Sequence, residues 1–316
     1  MSKRAGSGNR IGAFGGTIMA MTTAVRRAYQ QICGDGRSMM VIAADQRGGM
    51  REVLASEPEA RKAISDRTLG EVKVAIARSL AVHAGCILVD PLCALPWMVD
   101  DGLLPRETAL LVGLDASGYD TSPEGWRLSR LVPGVDARAV RRMGATGGKI
   151  MVYLRPDQPG ADAHNIAILR DVITDFAAED VLLVTEFLTY QMPGESTEAY
   201  KAAVPGLIVE GSRICLELGA HILKIPYPGT AEACAQVTAL CGDVPWAVLS
   251  AGVDHATFLG QVETSMAAGA SGVIAGRSLW KDCIHLDGAE MAARLTGRAV
   301  PRLRELQAVI ARHRGA

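Results

Sequence analysis

Short apolar runs rich in β-branched residues recur along the chain at Met39–Ala44, Cys86–Asp90, Ala109–Leu114, Lys149–Leu154, Val181–Thr185, His221–Ile225, Ala247–Ser250 and Gly272–Ala275. Stretches with apolar residues at helical spacing separate most of them: Asp66–His83, His164–Ala177, Val204–Leu218, Ala231–Leu240 and Phe258–Ala268. Alternation of this kind predicts βα units with parallel strands. Strands this apolar on both faces require helices outside and packed side chains inside, and eight of them close a barrel. The fold expected is therefore α/β, a (β/α)8 TIM barrel. An open doubly wound sheet is the alternative, but no GxGxxG follows the first run, and Gly147-Gly148 precedes its predicted strand instead of following it.

Between these units, Asp115–Val140, with Gly118, Pro123, Gly125, Pro133 and Gly134, reads as a long excursion after the third strand. Tyr190–Ser196 reads as a loop after the fifth. Residues 1–24 read as a partly flexible N-terminal tail, with Met19 and Met21 as alternative starts. Arg10 and the glycines around it argue against a signal peptide. Residues 25–316 are expected to form one catalytic domain, since barrels reach this length without dividing.

Composition narrows the partners. With 33 Lys and Arg against 34 Asp and Glu, there is no field to attract nucleic acid or an anionic membrane, so function is sought in a pocket. No run of about 20 uninterrupted apolar residues offers a membrane span. The seven cysteines form no CxxC pair and lie in aliphatic segments, which points to buried, reduced thiols and a cytoplasmic protein. The six histidines show no HxH or HxxxH spacing, so no metal site and no cofactor is expected. His221 reads as a packed strand residue and His255 as a helix-start residue.

Catalytic groups of such barrels stand at the carboxyl ends of the strands, which directs attention to charges that punctuate the apolar runs. Asp45 ends Val-Ile-Ala-Ala, Glu186 ends Val-Leu-Leu-Val-Thr, Lys149 opens Ile-Met-Val-Tyr and Lys224 lies within His-Ile-Leu-Lys-Ile-Pro. A charge there costs several kcal/mol to desolvate unless it is paired, so each is paired or functional. For Lys224, burial and a nearby cation such as Lys149 would both favour the neutral, nucleophilic amine; the alternative is a structural Lys–Glu pair. Glu186 suits general acid/base work or a counter-ion role. Asp45 is read as orienting Lys224 or binding a substrate hydroxyl, or else as capping the loop with Arg47, Gly48 and Gly49.

A second constellation concerns anions. Leu249–Asp254 and Ala275–Ser278 follow the last two strands, where barrels often hold phosphate on backbone N–H groups, here those of Gly252 and Gly276, at a helix N-terminus beside Arg277.

Taken in order, Ala43–Gly48 (Ala-Ala-Asp-Gln-Arg-Gly), Lys149–Asp157 (Lys-Ile-Met-Val-Tyr-Leu-Arg-Pro-Asp), Glu186, Leu223-Lys224, Leu249–Val253 and Gly269–Arg277 resemble the tagatose-1,6-bisphosphate aldolase family of class I aldolases, which includes the sulfofructosephosphate aldolases. The resemblance implies a TIM barrel in which Lys224 forms a Schiff base with a ketose phosphate. Glu186 would handle protons, and Lys149 and Asp45 would complete the catalytic cluster. Ser250, Gly252, Gly276 and Arg277 would hold the C1 phosphate, while Gln46 and Arg47 would meet substrate hydroxyls or the distal anion. The products would be dihydroxyacetone phosphate and an aldehyde such as glyceraldehyde 3-phosphate.

At Leu92–Leu95 the chain carries Cys-Ala where the family pattern has Tyr-Gly, and Ile-Pro-Tyr-Pro after Lys224 departs from it too, which leaves substrate choice open. The alternatives are a sulfofructosephosphate aldolase or transaldolase, a phosphosugar-sensing barrel without turnover, and a phosphosugar isomerase, for which a desolvated lysine on the sixth strand has no use. The partner expected is a small sugar phosphate, and a homodimer or homotetramer is what the family implies.

Overall fold

A computed structural model describes residues 21–34, 38–158 and 160–313. Eight parallel strands form a closed barrel: β1 (Met39–Ala44), β2 (Cys86–Val89), β3 (Ala109–Gly113), β4 (Gly147–Tyr153), β5 (Leu182–Leu188), β6 (Ile222–Pro226), β7 (Trp246–Leu249) and β8 (Gly272–Ala275). Each pairs with its neighbours in chain order, and β8 closes on β1 with Met39 opposite Gly272. The open-sheet alternative is thereby excluded. All eight predicted runs became strands.

Two boundaries moved by more than one residue, both at the site. Gly147 and Gly148 are the first residues of β4 and do not precede it, and β5 runs on past Glu186 to Leu188. The glycines are needed inside the strand because of what packs on it. A Cβ at Gly148 would stand 2.6 Å from the Phe176 ring, and one at Gly147 would stand 2.6 Å from the Leu182 carbonyl oxygen. Lys149 is thus the third residue of β4, not its opening.

Period-two alternation divides the core into two layers. Inside the barrel lie Met39, Val41, Ala43, Leu88, Leu111, Val184, Ile222, Ala247 and Ile274. Outside, between strands and helices, lie Ile42, Ile87, Val112, Ile150, Leu183, Phe187, Leu223, Ile225 and Val248. Helix α1 (Thr23–Ile32) packs Val25, Ala28, Tyr29 and Ile32 against the inner layer. It begins inside the stretch expected to be tail, because the Thr22 side chain accepts from the Val25 N–H and caps it. The remainder of that expected tail, residues 1–20, lies outside the described residues.

The helical periodicities hold, with longer bounds where caps dictate. Thr197–Glu217 starts seven residues before the predicted Val204, because Ser196 caps it at the Ala199 N–H and Pro205 is carried within the helix. The first predicted helix, Asp66–His83, is helical from Asp66 to Ile76 and then widens into a π-helical turn at Ala77–Ala81. Arg47 precedes a short helix, Gly48–Leu54, where a loop was expected. The excursion after β3 carries a two-residue antiparallel ribbon, Asp120–Thr121 with Arg127–Leu128, and ends in helix Ala137–Arg142. All seven cysteines are buried, and among the described residues no helix is long and apolar enough to cross a membrane.

Helix Thr197–Glu217 reaches β5 closely because Gly211 faces Phe187, where an added Cβ would meet the ring at 2.5 Å. Gly211→Ala is therefore expected to lower stability by roughly 1–3 kcal/mol through overpacking. Urea unfolding measures it, and an unchanged midpoint would show that the helix can step back at no cost.

Candidate active site

Following the inner face of each strand upward from the apolar layers, the next inward positions are Asp45 above Ala43, Asp115 above Leu111 and Gly113, Lys149 on β4, Glu186 above Val184, and Lys224 above Ile222. Alternation alone thus collects five ionisable groups at the carboxyl mouth. They form one network.

The Lys149 Nζ lies 2.8 Å from Asp45 Oδ2, 2.8 Å from Asp115 Oδ1 and 3.0 Å from Glu186 Oε2. The same Glu186 Oε2 accepts from Lys224 Nζ at 2.7 Å. Glu186 and Lys224 are direct register partners on β5 and β6, which is why their side chains meet. Lys149 and Lys224 are only 2% and 3% exposed, so the network is nearly dry. Asp45 therefore pairs with Lys149, and the loop-capping alternative falls.

The surroundings push the carboxyls apart. Burial alone would raise Asp45, but the ammonium groups of Lys149 and Lys224 outweigh it and hold the carboxyl well below the usual range. Asp115 goes the other way: burial raises it, Lys149 opposes, and the negative charges of Asp45 and Glu186 add to the rise. Burial acts to lower Lys149, yet its three carboxylates overcome that and hold its ammonium form well above the ordinary lysine range. Lys149 is the fixed cation of the site.

Asp115 and Asp90 are carboxylates of the candidate site that the reading of the sequence did not single out. Each ends an apolar run, Leu-Val-Gly-Leu-Asp and Ile-Leu-Val-Asp, by the same signal that marked Asp45. Asp90 forms a fully buried pair with Lys73, accepts from the backbone N–H groups of Leu92 and Cys93, and stands 3.8 Å from the Arg47 guanidinium. Arg47 in turn donates to the Asp115 carbonyl oxygen at 2.9 Å and to Ser117 Oγ at 3.1 Å. It fastens the loop after β3 to the cluster.

Gln46 donates to Asp45 Oδ1 at 3.1 Å, while its own Oε1 is buried with no hydrogen-bond partner. An unpartnered acceptor beside the lysines is suited to a substrate hydroxyl.

The anion constellation also assembles. Gly276 N–H points at Ser250 Oγ at a long 3.4 Å, and Ser250 is buried. After β7 the chain turns through two left-handed residues, Ala251 and Gly252. Gly252 is required there on two counts: its φ is +84°, and a Cβ would press to 3.2 Å from Arg277 Cζ. The guanidinium of Arg277 lies against that turn with no carboxylate within 4 Å among the described residues. The helix it opens, Arg277–Trp280, is a single turn, so Arg277 and backbone N–H groups, not a long helix dipole, supply the positive potential. His255, as expected, begins a helix, and His221 is buried just before β6, where burial lowers its imidazole.

Removing the shared cation tests the electrostatics. Lys149→Met leaves three buried carboxylates without their common partner, and breaking a buried pair costs about 3–5 kcal/mol. In the native protein, Asp45 contributes stability that is present above its unfolded value and is lost as pH falls through its depressed folded value. Lys149 contributes stability present below its unfolded value and lost as pH rises through its raised one. Without Lys149, Asp45 and Asp115 titrate upward, so the variant should lose most stability at pH 8 and regain part of it at pH 5. Thermal unfolding at both values checks this; a loss independent of pH would assign Lys149 a packing role instead.

Comparison with known proteins agrees with this architecture. Residues 39–282 match the description of the DeoC/LacD family aldolases. The chain is 25% identical over 305 residues to a tagatose 1,6-diphosphate aldolase of Lactococcus lactis subsp. lactis, covering 87% of this chain and 91% of the relative. It is 26% identical over 293 residues to tagatose 1,6-diphosphate aldolase 1 of Streptococcus pyogenes serotype M1, covering 82% and 85%.

Among solved structures, the fructose-bisphosphate aldolase from Slackia heliotrinireducens DSM 20476 superposes with a TM-score of 0.63 at 20% identity, covering 94% of this chain and 95% of that one. An archaeal fructose-1,6-bisphosphate aldolase, described with its catalytic lysine covalently bound to the carbinolamine intermediate, superposes at 0.60 and 18% identity, covering 90% and 99%. The family match spans the whole barrel from β1 to beyond β8, and the chain belongs to the DeoC/LacD family of class I aldolases.

Proposed function

We propose that this aldolase cleaves a ketohexose 1-phosphate, with tagatose 1,6-bisphosphate or a close analogue as substrate, to dihydroxyacetone phosphate and an aldehyde. The observation that carries this reading is the single oxygen, Glu186 Oε2, shared between Lys224 and Lys149 in a dry site.

Lys224 is the nucleophile. Its amine attacks the ketose carbonyl carbon, C2, and Glu186, already in hydrogen-bond contact, can take a proton from the amine and return one to the departing hydroxyl as the imine forms. The protonated imine then draws the electron pair released when C3–C4 breaks. Glu186 accepts the C4 hydroxyl proton, the aldehyde leaves, and reprotonation at C3 followed by hydrolysis frees Lys224. Lys149 stays charged throughout and stabilises the developing negative charge on the substrate oxygens, since preorganised charge in a dry site acts without reorganisation. Asp45 and Asp115 hold that ammonium in place, and Gln46 offers its free Oε1 to a substrate hydroxyl.

The C1 phosphate is assigned to Ser250, Gly252, Gly276 and Arg277, where charge-assisted bonds are available to a tetrahedral anion. The tagatose bisphosphate aldolases among the relatives make that sugar the first substrate to assay. Arg47, engaged by Asp115 and Ser117, is left with the role of positioning the loop after β3.

The deciding measurement is intact mass after borohydride reduction with dihydroxyacetone phosphate, on the native chain and on Lys224→Ala. An adduct of one phosphoglyceryl unit on the native chain alone is expected. Equal labelling of both would move the Schiff base elsewhere, and no labelling of either would end the aldolase mechanism as written.

A further inference from the structure

Of the cations around the barrel mouth, most are already engaged. Arg47 is held by Asp115 and Ser117, Arg130 by Asp120, Arg155 by Asp157 and Glu195, and Lys281 by the Gly252 carbonyl oxygen. Besides Arg277, Arg127 stands out. It lies on the short ribbon after β3, half-buried, and has no carboxylate within 4 Å among the described residues. Its guanidinium is surrounded by three tyrosines: the Cζ is 4.5 Å from the ring centre of Tyr119, 5.0 Å from that of Tyr153 and 5.0 Å from that of Tyr190. The rings pack edge to face, Tyr119 on Tyr153 and Tyr153 on Tyr190, and the Tyr190 hydroxyl accepts the Arg127 backbone N–H at 3.2 Å. A cation fixed this firmly, yet left without a counter-ion, is arranged for an external anion.

Its place in the barrel says which anion. Tyr153 ends β4 and shares the inner face of that strand with Lys149, four residues below, while Tyr190 follows the end of β5. In the strand order β4 is the fourth neighbour from β8 in either direction, diametrically across the barrel. Arg277, at the end of β8, and Arg127, whose tyrosine partners follow from β4 and β5, therefore belong to opposite sides of the barrel, with Lys224 on β6 between them in strand order.

We propose that Arg127, within its Tyr119–Tyr153–Tyr190 cage, binds the tetrahedral oxyanion at the far end of the ketose, so that the two unpaired arginines grip a substrate charged at both ends. This rests on the reading of the site as a ketose 1-phosphate aldolase and replaces Arg47 as the distal contact. The rings exclude water from the guanidinium and orient it, and their hydroxyls can add hydrogen bonds to the same anion.

Hexitol phosphates test this without turnover, since a sugar alcohol has no carbonyl for Lys224 to attack. Calorimetric titration with a hexitol 1,6-bisphosphate and the matching 1-phosphate would be compared between the native chain, Arg127→Met and Arg127→Lys. The bisphosphate should bind Arg127→Met roughly 10- to 150-fold more weakly, as expected for losing a charged hydrogen-bond partner. The 1-phosphate should bind unchanged, and Arg127→Lys should recover part of the loss.

Equal weakening of both ligands, weakening of neither, or no preference for the bisphosphate in the native chain would overturn the assignment. A hexitol 1-phosphate carrying a 6-sulfonate separates the two sources of oxyanion: the tighter of the two doubly charged ligands names the natural group, and either must lose affinity in Arg127→Met. Borohydride trapping of dihydroxyacetone phosphate on Arg127→Met is expected at native yield. Its failure on the native chain as well would strike the aldolase reading, while the titrations would still report on Arg127.

Discussion

The barrel mouth is organised around one buried ammonium group. Lys149 sits on β4 and is neutralised by carboxylates from the end of β1, from the residue pair beyond β3 and from β5. Through Glu186 it is tied to Lys224 on β6. A charge this poorly solvated is tolerable only because all these partners arrive with good geometry, and they arrive because each occupies the inward position above an apolar layer. The inner packing of Ala43, Leu111, Val184 and Ile222 therefore sets the height of the charged groups, and small changes of register would scatter them.

This dependence explains the glycines of β4. Phe176 and Leu182 press on the strand where Gly147 and Gly148 lack side chains, so the backbone that carries Lys149 is held from outside and from the neighbouring strand. A second layer of charge supports the loop side. Lys73 and Asp90 neutralise each other in full burial; Asp90 stands by Arg47, and Arg47 holds the backbone of Asp115. Supporting groups of this kind restrict the first contacts to one geometry, which is what electrostatic preorganisation requires.

Most of the barrel was legible in the sequence because parallel strands buried on both faces leave an apolar run that polar loops cannot imitate. Lys149, Lys224 and Glu186 were legible for the same reason: a charge inside such a run is conspicuous. Asp115 and Asp90 carried the same mark, but Asp90 is the last residue of its run and Asp115 lies one past its own, where an aspartate also reads as an ordinary loop residue. Gly147 and Gly148 were read as preceding their strand because what selects them lies elsewhere in the chain: the Phe176 ring, on a helix nearly 30 residues away, for Gly148, and the Leu182 carbonyl oxygen on β5 for Gly147. No local pattern could reveal Arg127 either. What distinguishes it is the absence of a counter-ion and the convergence of Tyr119, Tyr153 and Tyr190, both of which exist only once β4, β5 and the loop after β3 are folded together.

The division of labour between strands and loops follows from these constraints. In the proposed mechanism the bond-making groups stand on strands, where register fixes them and where any change disturbs several partners at once. The cations proposed for the ends of the substrate, Arg127 on the ribbon after β3 and Arg277 just past β8, sit on connections that can be exchanged without moving Lys224, Lys149 or Glu186. Substrate choice can thus shift while the cleavage chemistry stays. The departures from the aldolase pattern follow this logic in part: Cys93 and Ala94 lie in the connection after β2, and Tyr227 and Pro228 lie just beyond β6, while Ile225 and Pro226 are the last two residues of β6 itself and the lysines and Glu186 occupy the interiors of β4, β5 and β6. On the proposed reading, sequence change at the rim redirects which sugar enters, and the buried charge network limits what can change beneath it.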